Sequence, residues 1–398
     1  MDITITPGKL SGSVTVIPSK SQAHRLLICA AFADQETLLH CPQTNRDMDA
    51  TAECLNALGA SIRTTGTGYH ITPAKTVPKT AHLNCHDSGS TLRFLLPIAG
   101  ALGVDATFHL EGRLPQRPLS PLWEEMERMG CTLSRPTLDT IRCQGKLQPG
   151  PYALDGSISS QFFTGLLLAF PLISGESHIQ TIGKLESKPY VTMTLDAMKA
   201  FGVSGENMTV SGGMGYRSPK EMTVEGDWSN GAFFLAAQAL GSDLDVCGLS
   251  PDSSQGDRAA ARWIPALKTH QTIPAGDIPD LVPILSVVAA CHQGAVFTDI
   301  RRLRLKESDR VSSILAMLTA LGGRGEATEN TLTVYGTNLV GGRVDSCNDH
   351  RIAMSAAIGA TVCKETVTIL GAECVQKSYP RFWEEFNRLG GNYEQYLR

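Results

Sequence analysis

The chain has 398 residues and a net charge of −4, too long for one ordinary hydrophobic core and too acidic for a general binder of nucleic acid or anionic membrane. Its longest apolar run, 162–173, is broken by Gly165 and Pro171 and falls short of the roughly 20 residues needed to cross a bilayer. Eleven cysteines without a C-x-x-C pair, and a start (MDITITPGK) that lacks the regions of a signal peptide, predict a reducing, cytoplasmic setting.

The first elements along the chain are alternating runs at 2–6 and 13–17, which predict strands. An apolar helix follows from Ser19 (SKSQAHRLLICAAFA), then an amphipathic one, DMDATAECLNALG, with Met48, Ala52, Leu55 and Leu58 on one face. Further apolar helices begin at Asp87 (DSGSTLRFLLPIAGALG), Ser157 (SISSQFFTGLLLAFPLI), Asp227 (DWSNGAFFLAAQALG), Ile278 (IPDLVPILSVVAAC) and Cys347 (CNDHRIAMSAAIGAT). Strands are expected at 178–182 and 331–335. Second helices end in similar phrases at 57–60, 128–131, 200–203, 320–323 and 388–391, each with a glycine where a helix C-terminus favours a left-handed residue.

These six helices recur. The steps from Ser19 to Gly89 and from Gly89 to Ser159 are 70 residues each; those to Trp228, Pro279 and Asn348 are 69, 51 and 69. The unit is a mixture of strand and helix, longer than the usual solenoid repeat, and predicts closed domains built from repeats. Each apolar helix opens on a polar cluster. A helix N-terminus presents unpaired N–H groups and a partial positive charge, so six such ends predict a shared site for anions.

Several familiar motifs are absent: the Walker loop, G-x-G-x-x-G, the G-x-S-x-G elbow and H-E-x-x-H. His82, Cys85, His86 and Asp87 could hold a metal on paper, but they straddle a strand-to-helix turn without regularly spaced partners, and no metal is expected. The basic run at 301–310 mixes bases with acids, unlike a nucleic-acid patch. What remains is polar segments at helix starts. Lys20, Ser21 and Arg25 in PSKSQAHR fit a phosphate cradle or a capped surface helix. Ser159, Ser160 and Gln161 offer neutral donors ahead of a helix too apolar to face water, and capping accounts for only one of the two hydroxyls. Asp280 stands at a helix head, where an Asp is commonly a cap, and Glu307 lies between Lys306 and Arg310, where a surface ion pair is the ordinary reading.

Taken in order, PSKSQAHR, DSGSTLR, LPQRP, SSQF, SKPY, IPD, KESDR, NDHRIAM and QKSYP resemble the signature segments of the 5-enolpyruvylshikimate-3-phosphate synthases (3-phosphoshikimate 1-carboxyvinyltransferases) of the enolpyruvyl transferase family, and the resemblance runs essentially from end to end. It implies an α/β (α+β) fold of two similar domains, each of three β-α-β-α-β-β repeats, an inside-out α/β barrel. The discontinuous domain I is expected at 1–18 plus 226–398 and domain II at 19–225, with crossings near 18–20 and 224–227 and the active site in the cleft between them. The implied reaction joins shikimate 3-phosphate and phosphoenolpyruvate and releases phosphate, with no cofactor, no nucleic acid or membrane partner, and a monomeric cytoplasmic enzyme.

Position by position, the resemblance implies that Lys20, Ser21 and Arg25 meet the substrates. It gives Ser159, Ser160, Gln161, Ser187, Tyr190, Asp280 and Lys306 to shikimate 3-phosphate, and Lys20, Gly89, Arg117, Gln161, Arg310, Arg351 and Lys377 to phosphoenolpyruvate. Asp280 is then expected as base toward the attacking hydroxyl and Glu307 as proton donor to, and later acceptor from, the methyl carbon, with Lys20 and Lys377 sharing these transfers. The substrates bring about four or more negative charges together, which calls for fixed cations. Lys20, Arg25, Arg93, Arg117, Lys306, Arg310, Arg351 and Lys377 are the candidates. The chain departs from the usual pattern at Asp87 and Arg302, where many members have Asn. A sister family that transfers the same group to a UDP-sugar carries Lys-Asn where this chain has Lys20-Ser21, and a cysteine in the region of 112–121, where there is none here. A non-catalytic anion-binding repeat protein is the other alternative.

Overall fold

A computed structural model describes residues 1–396. The chain divides into two compact units, one formed by 1–17 and 225–398, the other by 18–224. Each has its own apolar core.

The chain opens with strands β1 (Asp2–Ile5) and β2 (Ser11–Thr15). The unit at 18–224 then contains three copies of one pattern. A buried helix is followed by a strand, a second helix, a hairpin and a further strand. The first copy is α1 (Lys20–Ala31), β3 (Thr37–His40), α2 (Arg46–Ala57), β4 (Ser61–Thr65), β5 (Gly68–Thr72) and β6 (Thr80–His86). The second is α3 (Gly89–Leu102), β7 (Asp105–Leu110), α4 (Leu122–Arg128), β8 (Cys131–Ser134), β9 (Thr140–Gly145) and β10 (Pro151–Asp155). The third is α5 (Ser160–Ala169), β11 (Gly175–Ile182), α6 (Lys188–Ala200), β12 (Gly205–Glu206), β13 (Thr209–Gly212) and β14 (Glu221–Thr223).

In the other unit the pattern resumes with α7 (Trp228–Ala239), β15 (Asp243–Cys247), α8 (Ala260–Ala266) and β16 (Gln271–Pro274). Next come α9 (Val282–Ala290), β17 (Ala295–Thr298), α10 (Arg310–Ala320), β18 (Arg324–Ala327), β19 (Thr331–Tyr335) and β20 (Gly342–Asp345). The last copy is α11 (His350–Ala360), β21 (Val367–Leu370), α12 (Phe382–Arg388) and β22 (Tyr393–Tyr396).

Among the described residues, five of the six sheets share one order. The strands before and after the buried helix pair in parallel, and the hairpin adds two antiparallel strands, as in β6-β7-β9-β8. At the crossings the partners are exchanged. Strand β2 precedes α1 in sequence but pairs with β15, while β14 precedes α7 but pairs with β3. Strand β1 completes the last copy by pairing with β21 and β22.

The sixth sheet explains the 51-residue step. It contains only β15 and β2. Helix α8 ends at Ala266 and β16 starts at Gln271, whereas between α2, ending at Ala57, and β6, starting at Thr80, lies the hairpin β4-β5. The fourth copy has lost its hairpin and kept the two parallel strands and both helices.

Helices α1, α3, α5, α9 and α11 are apolar almost all round and lie buried, with the strands alternating outside them. The expected glycines Gly59, Gly130, Gly202, Gly322 and Gly390 all have positive φ. After α10 and α12 the next N–H closes the helix end, Gly323 onto Leu318 O at 2.7 Å and Gly391 onto Phe386 O at 2.9 Å. The strand expected at 13–17 runs instead over Ser11–Thr15, because its pairing with β15 fixes it. No helix among the described residues is long and apolar enough to cross a membrane.

Candidate active site

The heads of α1, α3 and α5 lie in the unit at 18–224. Ser19, Ser88 and Ser159 cap them, accepting from the N–H groups of Gln22, Thr91 and Gln161. Lys20 opens α1, and its Nζ donates to Asp47 Oδ2 at 2.8 Å. Ser88, not Asp87, caps α3.

At the head of α3 two guanidinium groups converge. A Cβ added to Gly89 would lie 2.6 Å from Arg117 Nη1 and 2.9 Å from Arg93 Nη1. A side chain there would push the two guanidinium groups aside. Arg93 donates to Gln161 Oε1 at 2.8 Å, and Gln161 donates to Ser90 Oγ at 2.9 Å. The heads of α3 and α5 are thereby joined in one donor-rich patch, suited to an anion held by backbone N–H groups and cations.

Arg25 is placed differently from Lys20. It is buried, and it donates to Thr194 Oγ1 at 2.9 Å, to Tyr190 O at 3.0 Å and to Thr164 Oγ1 at 3.2 Å, with a further bond to Ser21 O. Burial lowers its pKa to about 10. It ties α1 to α5 and α6 from behind the polar heads. Ser187, just before α6, is buried with φ of 56°, an uncommon backbone for a residue with a side chain.

The second cluster lies in the other unit around Arg310. Its Nη1 bonds Asp280 Oδ1, its Nη2 bonds Glu307 Oε2 at 2.8 Å, and its Nε bonds Asp349 Oδ2 at 2.8 Å. Asp280 also receives Arg351 Nη2 at 3.3 Å and faces Lys306 Nζ at 3.6 Å. Ser308 Oγ donates to Asp349 at 3.1 Å, and Asp349 caps α11 by accepting from the Arg351 N–H at 3.0 Å.

Asp280 is therefore an ion-pair centre, not a helix cap; α9 begins after Leu281 without a side-chain cap. Burial pushes the Asp280 carboxyl up, but Arg351, Lys306 and Arg310 outweigh that and hold it well below the usual carboxylate range. Burial also lowers the Lys306 ammonium to about 8, against the pull of Asp280, and Arg310 and Arg302 push the same way. Asp257 behaves oppositely. Burial and the nearby Asp280 raise it to about 7, while Ser229 Oγ donates to it. Lys377 ends a 3-10 turn spanning Ala372–Lys377.

The structure thus brings Lys20, Gly89, Arg93, Arg117, Ser160 and Gln161 to helix heads in one unit, and Asp280, Lys306, Glu307, Arg310 and Arg351 to one cluster in the other. Asp47, Asp257 and Asp349 were missed in the sequence. For Asp349 a signal existed, an acid directly before His-Arg at a helix start. Asp47 lies in the first turn of α2, where an acid is also the ordinary partner of a helix N-terminus. The four residues considered for a metal do not converge, because strand alternation turns Cys85 inward and His82 outward.

The profile of one family, described as EPSP synthase (3-phosphoshikimate 1-carboxyvinyltransferase), matches residues 5–386. Curated relatives called 3-phosphoshikimate 1-carboxyvinyltransferase include one from Clostridium kluyveri, 38% identical over 421 residues, covering 99% of this chain and 98% of the relative. Another, from Clostridium perfringens, is 38% identical over 418 residues, covering 98% of each. These alignments are longer than the 398-residue chain, so the relatives carry stretches that it lacks. Two solved structures of EPSP synthase from Acinetobacter baumannii share the fold. They superpose with TM-scores of 0.82 and 0.81 at 24% and 22% identity, covering 99% and 100% of both chains.

Proposed function

We infer that this chain, which belongs to the EPSP synthase (3-phosphoshikimate 1-carboxyvinyltransferase) family, transfers the enolpyruvyl group of phosphoenolpyruvate to the 5-hydroxyl of shikimate 3-phosphate and releases inorganic phosphate. The reaction is the shikimate-pathway step toward chorismate and the aromatic amino acids. The observation that carries the chemistry is one guanidinium holding two acids: Arg310 grips Asp280 with one terminal nitrogen and Glu307 with the other.

Addition needs a proton taken from the attacking hydroxyl and a proton given to the methylene carbon. Asp280, kept ionised by its cations, serves as base toward the hydroxyl. Glu307 delivers the proton to the methylene carbon as the new C–O bond forms. The tetrahedral intermediate then loses phosphate, which leaves with the proton that Asp280 took from the hydroxyl, and Glu307 takes a proton back from the methyl group. Lys20 and Lys377 share these transfers and stabilise the departing phosphate.

The cluster at α3 supports a reading of Gly89, Arg93 and Arg117 as the phosphoenolpyruvate site, with Arg310, Arg351 and Lys377 contributing cations. Ser159, Ser160, Gln161, Ser187, Tyr190 and Lys306 serve shikimate 3-phosphate. The geometry of Arg25 supports a supporting part for it behind Lys20 and Ser21. On this reading the enzyme is monomeric. All eleven cysteines are free, which suits a reducing, cytoplasmic setting.

Deuterium tests the addition and elimination. In D2O the methyl group of the intermediate carries one deuteron and loses any of its three hydrogens, so the vinyl group of the product becomes partly deuterated. Product formed with no solvent hydrogen at that carbon would remove the tetrahedral intermediate.

A further inference from the structure

Behind the head of α3 runs a buried chain of polar groups that the proposed chemistry does not use. Ser88 Oγ accepts from Thr91 Oγ1 at 2.8 Å and from the Thr91 N–H at 3.3 Å. Thr91 Oγ1 lies 2.7 Å from Thr51 Oγ1 on α2, and Thr51 Oγ1 lies 2.7 Å from His24 Nδ1 on α1. All four side chains are buried. The chain passes through the three helices whose first turns carry Lys20, Asp47 and Gly89.

Counting protons gives the chain a direction. Burial lowers the His24 pKa to about 3, against the pull of Asp47, so the ring is neutral and has one N–H. Its Nε2 is buried without a partner. A proton there would be a buried unpaired donor, which is less well tolerated than an unused lone pair. The proton therefore sits on Nδ1 and is donated to Thr51. Thr51, with one proton of its own, donates to Thr91; Thr91 donates to Ser88 at 2.8 Å, a shorter bond than its alternative to Asp47 O at 3.4 Å. Ser88 Oγ already accepts twice, so its own proton is the one the chain does not consume. Ser88 immediately precedes Gly89, whose Cβ position faces Arg93 and Arg117.

We propose that His24, Thr51 and Thr91 are positioning residues that fix the direction of this hydroxyl chain, so that Ser88 donates, beside Arg93 and Arg117, to an anionic oxygen of phosphoenolpyruvate. This rests on the reading that the head of α3 is the phosphoenolpyruvate site. The chain sets orientation without touching substrate, except through Ser88.

Thr51→Val keeps the volume but interrupts the chain two residues from the site, and Thr51→Ser restores the hydroxyl. For Thr51→Val the KM for phosphoenolpyruvate is expected to rise about three- to tenfold, the worth of one neutral hydrogen bond, with kcat and the KM for shikimate 3-phosphate changed less than about twofold. Thr51→Ser should return the KM to the parent value. A lower Tm with an unchanged KM for phosphoenolpyruvate, or equal rises in both KM values, would overturn the proposal. Should Thr51→Val not fold, His24→Phe removes the origin of the direction while leaving every hydroxyl, and the same selective rise is required of it. Failure of the underlying reading looks different: the parent protein would then show no turnover with the two substrates, before any variant is made.

Discussion

The Nε–H of Arg310 donates to Asp349 Oδ2 at 2.8 Å with both side chains buried, so the guanidinium that grips Asp280 and Glu307 is itself held from behind. The three acids fix its plane from three sides. Removing Asp349 leaves a buried cation short of a partner, frees Ser308 and takes the cap from α11. Asp349→Ala is expected to cost about 3–5 kcal/mol of folding stability, measured by denaturant unfolding. A loss below about 1 kcal/mol would mean that Arg310 is held by Asp280 and Glu307 alone.

Glu307 faces the same guanidinium from the neighbouring loop. Glu307→Gln keeps the shape and a hydrogen-bonding end but changes the proton inventory. Calorimetric binding of shikimate 3-phosphate should persist while kcat falls by about two to four orders of magnitude. Unchanged turnover would take Glu307 out of the proton transfers.

Arg117 and Arg93 meet over Gly89, and on the proposed reading each contributes a charge-assisted bond to phosphoenolpyruvate. Arg117→Ala should raise the KM for phosphoenolpyruvate by about 10- to 100-fold, with the KM for shikimate 3-phosphate nearly constant. A larger effect on shikimate 3-phosphate would reverse the assignment of the two substrates.

Local pattern made the buried helices legible. A polar cap before an apolar run located α1, α5, α7 and α11 to within a few residues, and the glycine after α2, α4, α6, α10 and α12 marked their ends. At α3 the cap is Ser88, the second residue of the polar cluster that begins at Asp87. The period registered the shortened fourth copy without its cause, because a hairpin of two short strands leaves little periodic signal. The acids were harder still. Arg310 meets Asp349 across 39 residues, and Arg351 meets Asp280 across 71. No local spacing encodes such pairs; the helix packing creates them. For the same reason Asp280, plausible as a cap, became the partner of three cations, and Asp257 gave no warning at all.

Lys306 supplies a pH test. Its pKa is lowered from 10.5 to about 8, chiefly by burial, so its ammonium is present below about pH 8 and is lost as the pH rises through that value. On the proposed reading the charge helps bind an anionic substrate, so kcat/KM for shikimate 3-phosphate, which reports the free enzyme, should fall above about pH 8. Lys306→Arg keeps the charge at all working pH values and should lose that limb. A parent profile flat to pH 10 would show that the Lys306 charge is not required.

Phosphate release measures the central claim most directly. Purified protein given phosphoenolpyruvate alone should release none, and adding shikimate 3-phosphate should start release in step with vinyl ether formation. No release with that pair, together with release when a UDP-sugar is the acceptor, would contradict the account.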